Sequence, residues 1–175
     1  MYKRQAFNNN LPLLAITTNQ HRAAAYPHNG MFMDLDTVAV SRPITKWNAV
    51  VHDARRIPEI ARRAIREALS GRPGPVHLDI PQDVLDQRCR YSESEFDLTP
   101  ARYRFTGRIR PDADGVARAV DVLADARRPL IVAGGGVIAS EAGEQIRQLA
   151  ARLRCPVVPT QMALGVVSSL SLIHI

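Results

Sequence analysis

The chain has 175 residues, of which 46% are hydrophobic and 23% are charged, and this composition predicts one or two globular domains. No apolar run approaches the roughly 18 residues of a membrane span, and no signal-peptide pattern opens the sequence, so we expect a cytoplasmic protein without membrane association. The net charge of +6 comes from scattered arginines and only 5% of residues are aromatic, which argues against a nucleic-acid partner.

The two ends of the chain are consistent with a single DNA sequence translated in opposite orientations. Written as codons, residues 170–175 (LSLIHI) have a reverse complement that translates as Asp-Val-Tyr-Lys-Arg-Gln. If translation starts at the valine codon, which is then read as methionine, the product is Met-Tyr-Lys-Arg-Gln, the sequence of residues 1–5. The DNA resembles the transposase end of sequencing adaptors. We therefore predict that residues 1–5 and 170–175 are adaptor-derived tails that contribute little to packing.

Strands and helices alternate in the first predicted domain, residues 6–84. The strands are expected at 11–18, 47–51 and 76–80, and the helices at 34–41 and 57–69. The helix 57–69 keeps its apolar residues on one face, and its proline stands in the first turn, where proline is tolerated. The turn Gly71–Pro75 ends this helix and begins the last strand, so the crossover predicts a parallel sheet.

Residues 85–111 lose this periodicity and are interpreted as a linker before a second domain, residues 112–169. Its first helix is expected to turn four apolar residues inward: Val116, Ala119, Val120 and Leu123. Strands are predicted at 129–133 and 156–160, with a helix at 140–153 that begins at Ser140. The fold class is therefore α/β, with two partial three-layer domains in which helices flank parallel sheets.

A glycine-rich turn, Gly134–Ala139 (GGGVIA), follows the predicted strand 129–133 and fits the G-x-G-x-x-A pattern of dinucleotide sites. Such sites also place an acidic residue after the next strand, whereas this chain has Thr160 and Gln161 there. Three interpretations remain open: a nicotinamide site, a tight turn that needs no side chains, and a site for another nucleotide-like ligand.

Other candidate residues give weaker signals. The histidines at 21, 28, 52 and 77 lack the spacing of metal ligands, Cys89 and Cys155 form no CxxC pair, and we predict no metal site. Asp79 and Asp83 flank a proline, where capping of the strand end is favoured over a catalytic pair of carboxylates. Phe32 is either a substrate-pocket wall or, as the residues alone favour, a core residue.

Three segments together resemble thiamine-diphosphate enzymes, above all the acetolactate synthase large subunits, with benzoylformate decarboxylase-like enzymes nearby. TVAVSRPITKWN (37–48) and IPEIARRAIREALSGRPGPVHLDIPQDV (57–84) resemble the end of the pyrimidine-binding domain. The segment 127–165, from RRPLIVAGGG to VPTQMALG, resembles the start of the central domain. The resemblance implies decarboxylation of a 2-oxo acid and its addition to an acceptor carbonyl, with thiamine diphosphate as electron sink and Mg²⁺ as its diphosphate anchor.

The resemblance also assigns individual residues. Gly134, Gly135, Gly136, Thr160, Gln161 and Met162 match the positions that line a flavin dinucleotide (FAD) site in acetolactate synthases. Phe32 matches a phenylalanine near the active site of a partner subunit, and Met33 stands where these enzymes usually have glutamine. We expect the activating glutamate upstream and the Mg²⁺-diphosphate motif downstream of this chain, so the full-length homodimer or homotetramer is active and this fragment is not. The alternatives are a flavin-free benzoylformate decarboxylase-like lyase and a non-catalytic nucleotide-binding module.

Overall fold

The computed structural model describes residues 2–24, 30–97 and 99–167. The chain divides into two compact units, Met1–Gly107 and Arg108–Ile175. Each unit contains its own parallel sheet with helices beside it, so the predicted α/β class is confirmed. The domain limits at residues 84 and 112 stay predictions, since a compact unit does not by itself define a family's domain boundary.

The first unit is built on a three-stranded parallel sheet in the order β1-β3-β2. Its elements in chain order are α1 (Tyr2–Asn8), β1 (Leu13–Asn19), α2 (Thr37–Ser41), β2 (Trp47–Val50), α3 (Ile57–Leu69), β3 (Pro75–Pro81) and α4 (Gln82–Leu85). The strands and α3 lie where the sequence predicts them, within two residues at each end. The predicted helix 34–41 is shorter, because Asp36 caps α2 by accepting a hydrogen bond from the Ala39 amide.

The helix α3 covers one face of this sheet. Its buried Ala64 and Ala68 pack against Val76 and Leu78 of the central strand, since small residues let the helix approach closely. The turn after α3 requires a left-handed residue, and Gly71 supplies it with φ of +58°. The rigid turn thus places β3 in the middle of the sheet, where all seven of its residues are buried.

The segment predicted as a linker packs in part against the first unit. The Tyr91 hydroxyl donates to the Ala54 carbonyl at 2.7 Å, and its ring makes an edge contact with Phe96. Two short 3-10 helices occur here, at Glu93–Phe96 and Pro100–Arg102. These contacts anchor residues 91–96, although the periodicity of the segment predicts no regular element.

The second unit has a two-stranded parallel sheet. Its elements are α5 (Ala113–Ala124), β4 (Ile131–Ala133), α6 (Gly135–Ala139), α7 (Gly143–Leu153) and β5 (Val157–Pro159). The core lies between this sheet and α7 and includes Ala133, Ala150, Cys155 and Val157. Across the described ranges, none of the helices combines the length and the apolar character that a membrane span requires.

Two predictions for the second unit are wrong. None of the residues of α5 is buried, and Val116 and Val120, expected to face inward, are 46% and 57% exposed. The periodicity marks an apolar face but does not supply a surface for it to pack on. The helix predicted from Ser140 is broken as well: Ser140 ends α6, Glu141 has φ of +54°, and α7 begins at Gly143.

The predicted N-terminal tail is helical within α1, yet most of it is exposed. Tyr2 is 76% exposed, as expected of a residue that contributes little to packing, whereas Lys3 donates a 3.3 Å hydrogen bond to the Ser41 hydroxyl. Ala6, the first residue outside the predicted tail, is buried. The second predicted tail, 170–175, lies outside the described residues.

Candidate functional site

A cavity of about 270 Å³ opens at the carboxyl edge of the first unit's sheet. Asn19, Val50 and Pro81 stand at the carboxyl ends of the three strands, and all three line it. In parallel α/β sheets this edge is the usual ligand site. Most of the other lining residues have polar side chains, although the surface they present to the cavity is largely apolar: Gln20, Arg22, Asp34, Leu35, Asp36, Thr37, Val38, His52 and Asp79.

Asp79 and Asp83, the two carboxylates that flank Pro81, have separate partners. Asp79 is 3% exposed and accepts hydrogen bonds from the Thr17 hydroxyl at 2.8 Å and the Asn19 amide at 3.2 Å. Asp83 accepts from the backbone amide and the guanidinium of Arg22, at 3.0 and 2.7 Å. Their side chains thus bind the end of β1 and the residues after it, and neither carboxylate bonds the other.

The Arg22–Asp83 pair predicts a pH-dependent contribution to stability. Donation from the Arg22 backbone amide, and then from its guanidinium, lowers the pKa of Asp83 from its usual 3.8. A lowered folded-state pKa stabilises the fold above the unfolded value and loses that stabilisation as pH falls through the folded value. We expect Asp83→Asn to cost at most about 1 kcal/mol at pH 7, because the pair is partly exposed, and to cost less as pH falls below 4.

Urea denaturation between pH 3 and 7, followed by fluorescence of Trp47, measures this difference, since Trp47 is the only tryptophan and lies in the first unit. Asp86→Asn, at an exposed carboxylate just after α4, is the matched control. A destabilisation that is the same at pH 7 and pH 3 contradicts the proposed linkage.

The interpretation of Phe32 as a core residue is wrong. Its side chain is fully exposed, at 101% of the reference area, and Met33 is half-buried. Both lie on the segment between Gly30 and α2, beside the cavity that Asp34 and Leu35 line. The pocket role of Phe32 and Met33 stays a prediction.

The glycine turn of the second unit lies against the residues that follow β5. Added to Gly134, a β-carbon would lie 4.0 Å from Thr160 Oγ1, and added to Gly135 it would lie 3.3 Å from Met162 Cβ. A β-carbon added to Gly136 would meet open space. The structure therefore brings the predicted flavin residues of both segments together, although their role in binding stays a prediction.

Close packing explains one of these glycines without a ligand. At 3.3 Å a side chain on Gly135 is crowded by Met162, which would have to move by a few tenths of an ångström to make room, so packing within the protein favours glycine there. Gly136 has no such restriction. It is therefore the better position at which to test a ligand.

The described ranges hold no cluster of three or more His, Cys, Asp or Glu side chains that could bind a metal ion. His77 is fully buried within the sheet, His21 and His52 lie elsewhere in the first unit, and His28 lies outside the described residues. Cys89 and Cys155 are free thiols, the first half-buried and the second buried.

Sequence reasoning missed Thr17 and Asn19, which the sheet places beside Asp79. Their one signal is position: they are polar residues at the end of an apolar run that predicts a strand. The rule that ligands bind at the carboxyl ends of parallel strands could have singled them out.

These features define an α/β protein with a cavity at the carboxyl edge of one parallel sheet and a glycine turn between strand and helix in another. Residues 116–172 match the family described as the central domain of thiamine pyrophosphate enzymes. The chain is 38% identical over 158 residues to an acetolactate synthase of Mycobacterium bovis, covering 89% of this chain and 24% of that protein. It is 37% identical over 157 residues to a glyoxylate carboligase of Escherichia coli O157:H7, covering 89% and 25%.

An acetolactate synthase large subunit of Buchnera aphidicola is 31% identical over 160 residues, with 91% of this chain and 28% of that protein covered. The chain is thus similar to thiamine-diphosphate enzymes, above all to acetolactate synthases, which confirms the resemblance seen in the sequence. It spans about a quarter of the length of these relatives.

Proposed function

We propose that the full-length protein is a thiamine-diphosphate-dependent carboligase that acts on 2-oxo acids in the manner of acetolactate synthase. The observation that carries the proposal is 38% identity to an acetolactate synthase across 89% of this chain. The relatives are named acetolactate synthases and a glyoxylate carboligase, so they do not favour the flavin-free lyase or the nucleotide-binding module.

The acceptor oxygens at the carboxyl-edge cavity suit the aminopyrimidine end of such a cofactor. Thiamine diphosphate carries an aminopyrimidine ring, whose amine donates hydrogen bonds and so suits carboxylate and amide oxygens. The side chains of Asp34, Asp36 and Asn19 offer such oxygens at the cavity. When bound, the cofactor supplies the electron sink for decarboxylation. The residues of this chain would orient the ring and keep it at the sheet edge.

We further propose a flavin dinucleotide at the glycine turn, Mg²⁺ with the diphosphate, and a homodimer or homotetramer in the cytoplasm. The open space at Gly136 supports the flavin, because a ligand could approach the backbone there. Full exposure of Phe32 supports the oligomer, because the resemblance puts this residue near a partner subunit's active site. Mg²⁺ and the cytoplasmic location rest on the resemblance and the composition.

The test is product analysis with the full-length protein, thiamine diphosphate and Mg²⁺. We expect pyruvate to give acetolactate and carbon dioxide, because the bound two-carbon unit adds to a second pyruvate. Glyoxylate alone is the competing substrate, since one relative is named a glyoxylate carboligase. The present 175-residue chain serves as the control and is expected to be inactive.

Each other outcome counts against a defined part of the proposal. Release of acetaldehyde without a ligation product favours the lyase. No reaction with any 2-oxo acid, in a full-length protein that binds the cofactor, contradicts the proposed function. Decarboxylation of pyruvate by the 175-residue chain refutes the expectation that essential groups lie outside it.

A further inference from the structure

A line of polar side chains crosses the face of the first sheet opposite α3. His77 Nε2 lies 2.8 Å from Thr17 Oγ1, which in turn lies 2.8 Å from Asp79 Oδ1. The parallel register pairs Thr17 with Asp79, so both side chains project from the same face. His77 and Asp79 are 0% and 3% exposed, which makes these hydrogen bonds costly to lose.

The direction of the hydrogen bonds follows from the acceptor at one end. The Asp79 carboxylate accepts, so the Thr17 hydroxyl donates its proton to it and accepts from His77. His77 therefore carries a proton on Nε2, while its buried Nδ1 has no hydrogen-bond partner among the described residues. Burial, with the charge of Lys3 nearby, lowers the pKa of His77, whereas Asp79 opposes that shift.

Asn19 connects this line to the edge of the cavity. Its Nδ2 donates to Asp79 Oδ2 at 3.2 Å and to the Leu35 carbonyl at 2.8 Å, which uses both amide hydrogens. Its Oδ1 accepts from the Gln20 amide at 2.8 Å. The side chain is thus held from three directions, and it joins the buried sheet to the segment that precedes α2.

That segment, residues 30–36, carries the predicted pocket residues Phe32 and Met33. Hydrogen bonds within it, from the Asp34 amide to the Met31 carbonyl and from the Gly30 amide to Asp34 Oδ2, fold it locally without tying it to the sheet. Phe32 is fully exposed, so its ring provides no packing that would hold the segment in place.

We propose that Asn19 and Asp79 are positioning residues, which hold residues 30–36 at the cavity so that Phe32 and Met33 meet the substrate. Thr17 and His77 orient the Asp79 carboxylate from the interior of the sheet. The substrate part of this inference rests on the proposed carboligase function. The structural part does not, and it is tested separately.

Hydrogen exchange of the 175-residue chain tests the structural part. Asn19→Leu keeps the side-chain size but removes both donated bonds, so amides in residues 30–36 should exchange at least about tenfold faster. Asn48→Leu is the matched control. Asn48 lies on β2 and projects from the same face of the sheet as Asn19, but its side-chain amide donates to the Thr45 hydroxyl instead. Equal exchange in Asn19→Leu and the parent chain overturns the inference, as does equal acceleration in Asn48→Leu.

A paired exchange of side chains separates positioning from sheet stability. Asp79→Asn alone turns an amide hydrogen toward the Asn19 amide and should weaken the sheet. Adding Asn19→Asp restores a donor–acceptor contact between the two but removes the side-chain donor from the Leu35 carbonyl, which keeps the Thr37 amide at 2.8 Å. We expect the double variant to recover the urea midpoint while exchange of residues 30–36 stays fast; slow exchange there would contradict positioning through Asn19.

Steady-state kinetics of the full-length protein tests the substrate part. Asn19→Leu should raise the KM for pyruvate at least about fivefold and change kcat less than twofold, since a misplaced pocket weakens binding more than chemistry. An unchanged KM in an active enzyme overturns the substrate part. If the parent enzyme ligates no 2-oxo acid, the proposed function fails, while the exchange result still decides the structural part.

Discussion

Leu78→Ala is expected to destabilise the first unit by about 2–5 kcal/mol, because it empties a buried site in the central strand. Leu78 is 2% exposed and packs in the cluster that joins β3 to α3 through Val76, Ala64 and Ala68. The surrounding residues are held by strands on both sides, so the cavity cannot close by a small movement. The loss of stability should therefore approach that seen when other well-packed leucines are replaced by alanine.

Leu14→Ala provides a control of identical chemistry on the same face of the sheet. Leu14 is paired with Val76 in the register, but it lies on the edge strand and is 37% exposed. We expect it to cost less than about 1 kcal/mol. Urea denaturation followed by Trp47 fluorescence compares the two variants, because Trp47 packs against the same cluster. Equal shifts in the urea midpoint would show that the cluster does not stabilise the unit.

Gly136→Val is expected to lower flavin affinity in the full-length protein at least about tenfold, since a side chain would occupy space that the proposed ligand needs. The variant should fold normally: apart from the backbone of its own helix and its chain neighbours, no atom of the described residues lies within 4 Å of the added β-carbon, and valine is no worse than glycine in a helix. Gly135→Val should also weaken binding, but there the added side chain meets Met162. Gly136 is therefore the more informative position.

Separate titrations with FAD and NADH complete this test. We expect no NADH binding, because Thr160 and Gln161 stand where an acidic residue would accept the ribose hydroxyls. Absence of FAD binding in the parent protein contradicts the flavin proposal and favours a flavin-free lyase. Tight NADH binding that Gly136→Val abolishes would instead support a nucleotide-binding module at this turn. Circular dichroism of each variant verifies that the fold is retained.

Much of the local structure could be predicted from the sequence because its signals act over a few residues. The apolar spacing of Ile57–Leu69 predicts α3 with the bounds that the structure shows. The glycines and prolines of 71–75 predict the turn, and the apolar runs predict the strands. The resemblance to thiamine-diphosphate enzymes came from the same short segments, and the comparisons confirm it.

Burial could not be predicted in the same way, because it depends on what packs against each residue. The pattern of α5 marks Val116 and Val120 as an apolar face, yet both are exposed in the second unit. Phe32 is an apolar residue, yet its side chain is fully exposed. A periodic pattern indicates which side of an element is apolar, and only the tertiary structure decides whether that side is covered.

The sequence alone determined the α/β class, the turn that precedes β3 and the resemblance to thiamine-diphosphate enzymes, since each depends on neighbouring residues or on whole segments. Only the tertiary structure decided which polar residues share the cavity edge. Thr17 and Asp79 are 62 positions apart, and the parallel register of β1 and β3 brings them together. A shift of that register by one residue would put the Thr17 side chain on the opposite face of the sheet from Asp79, because side chains alternate along a strand.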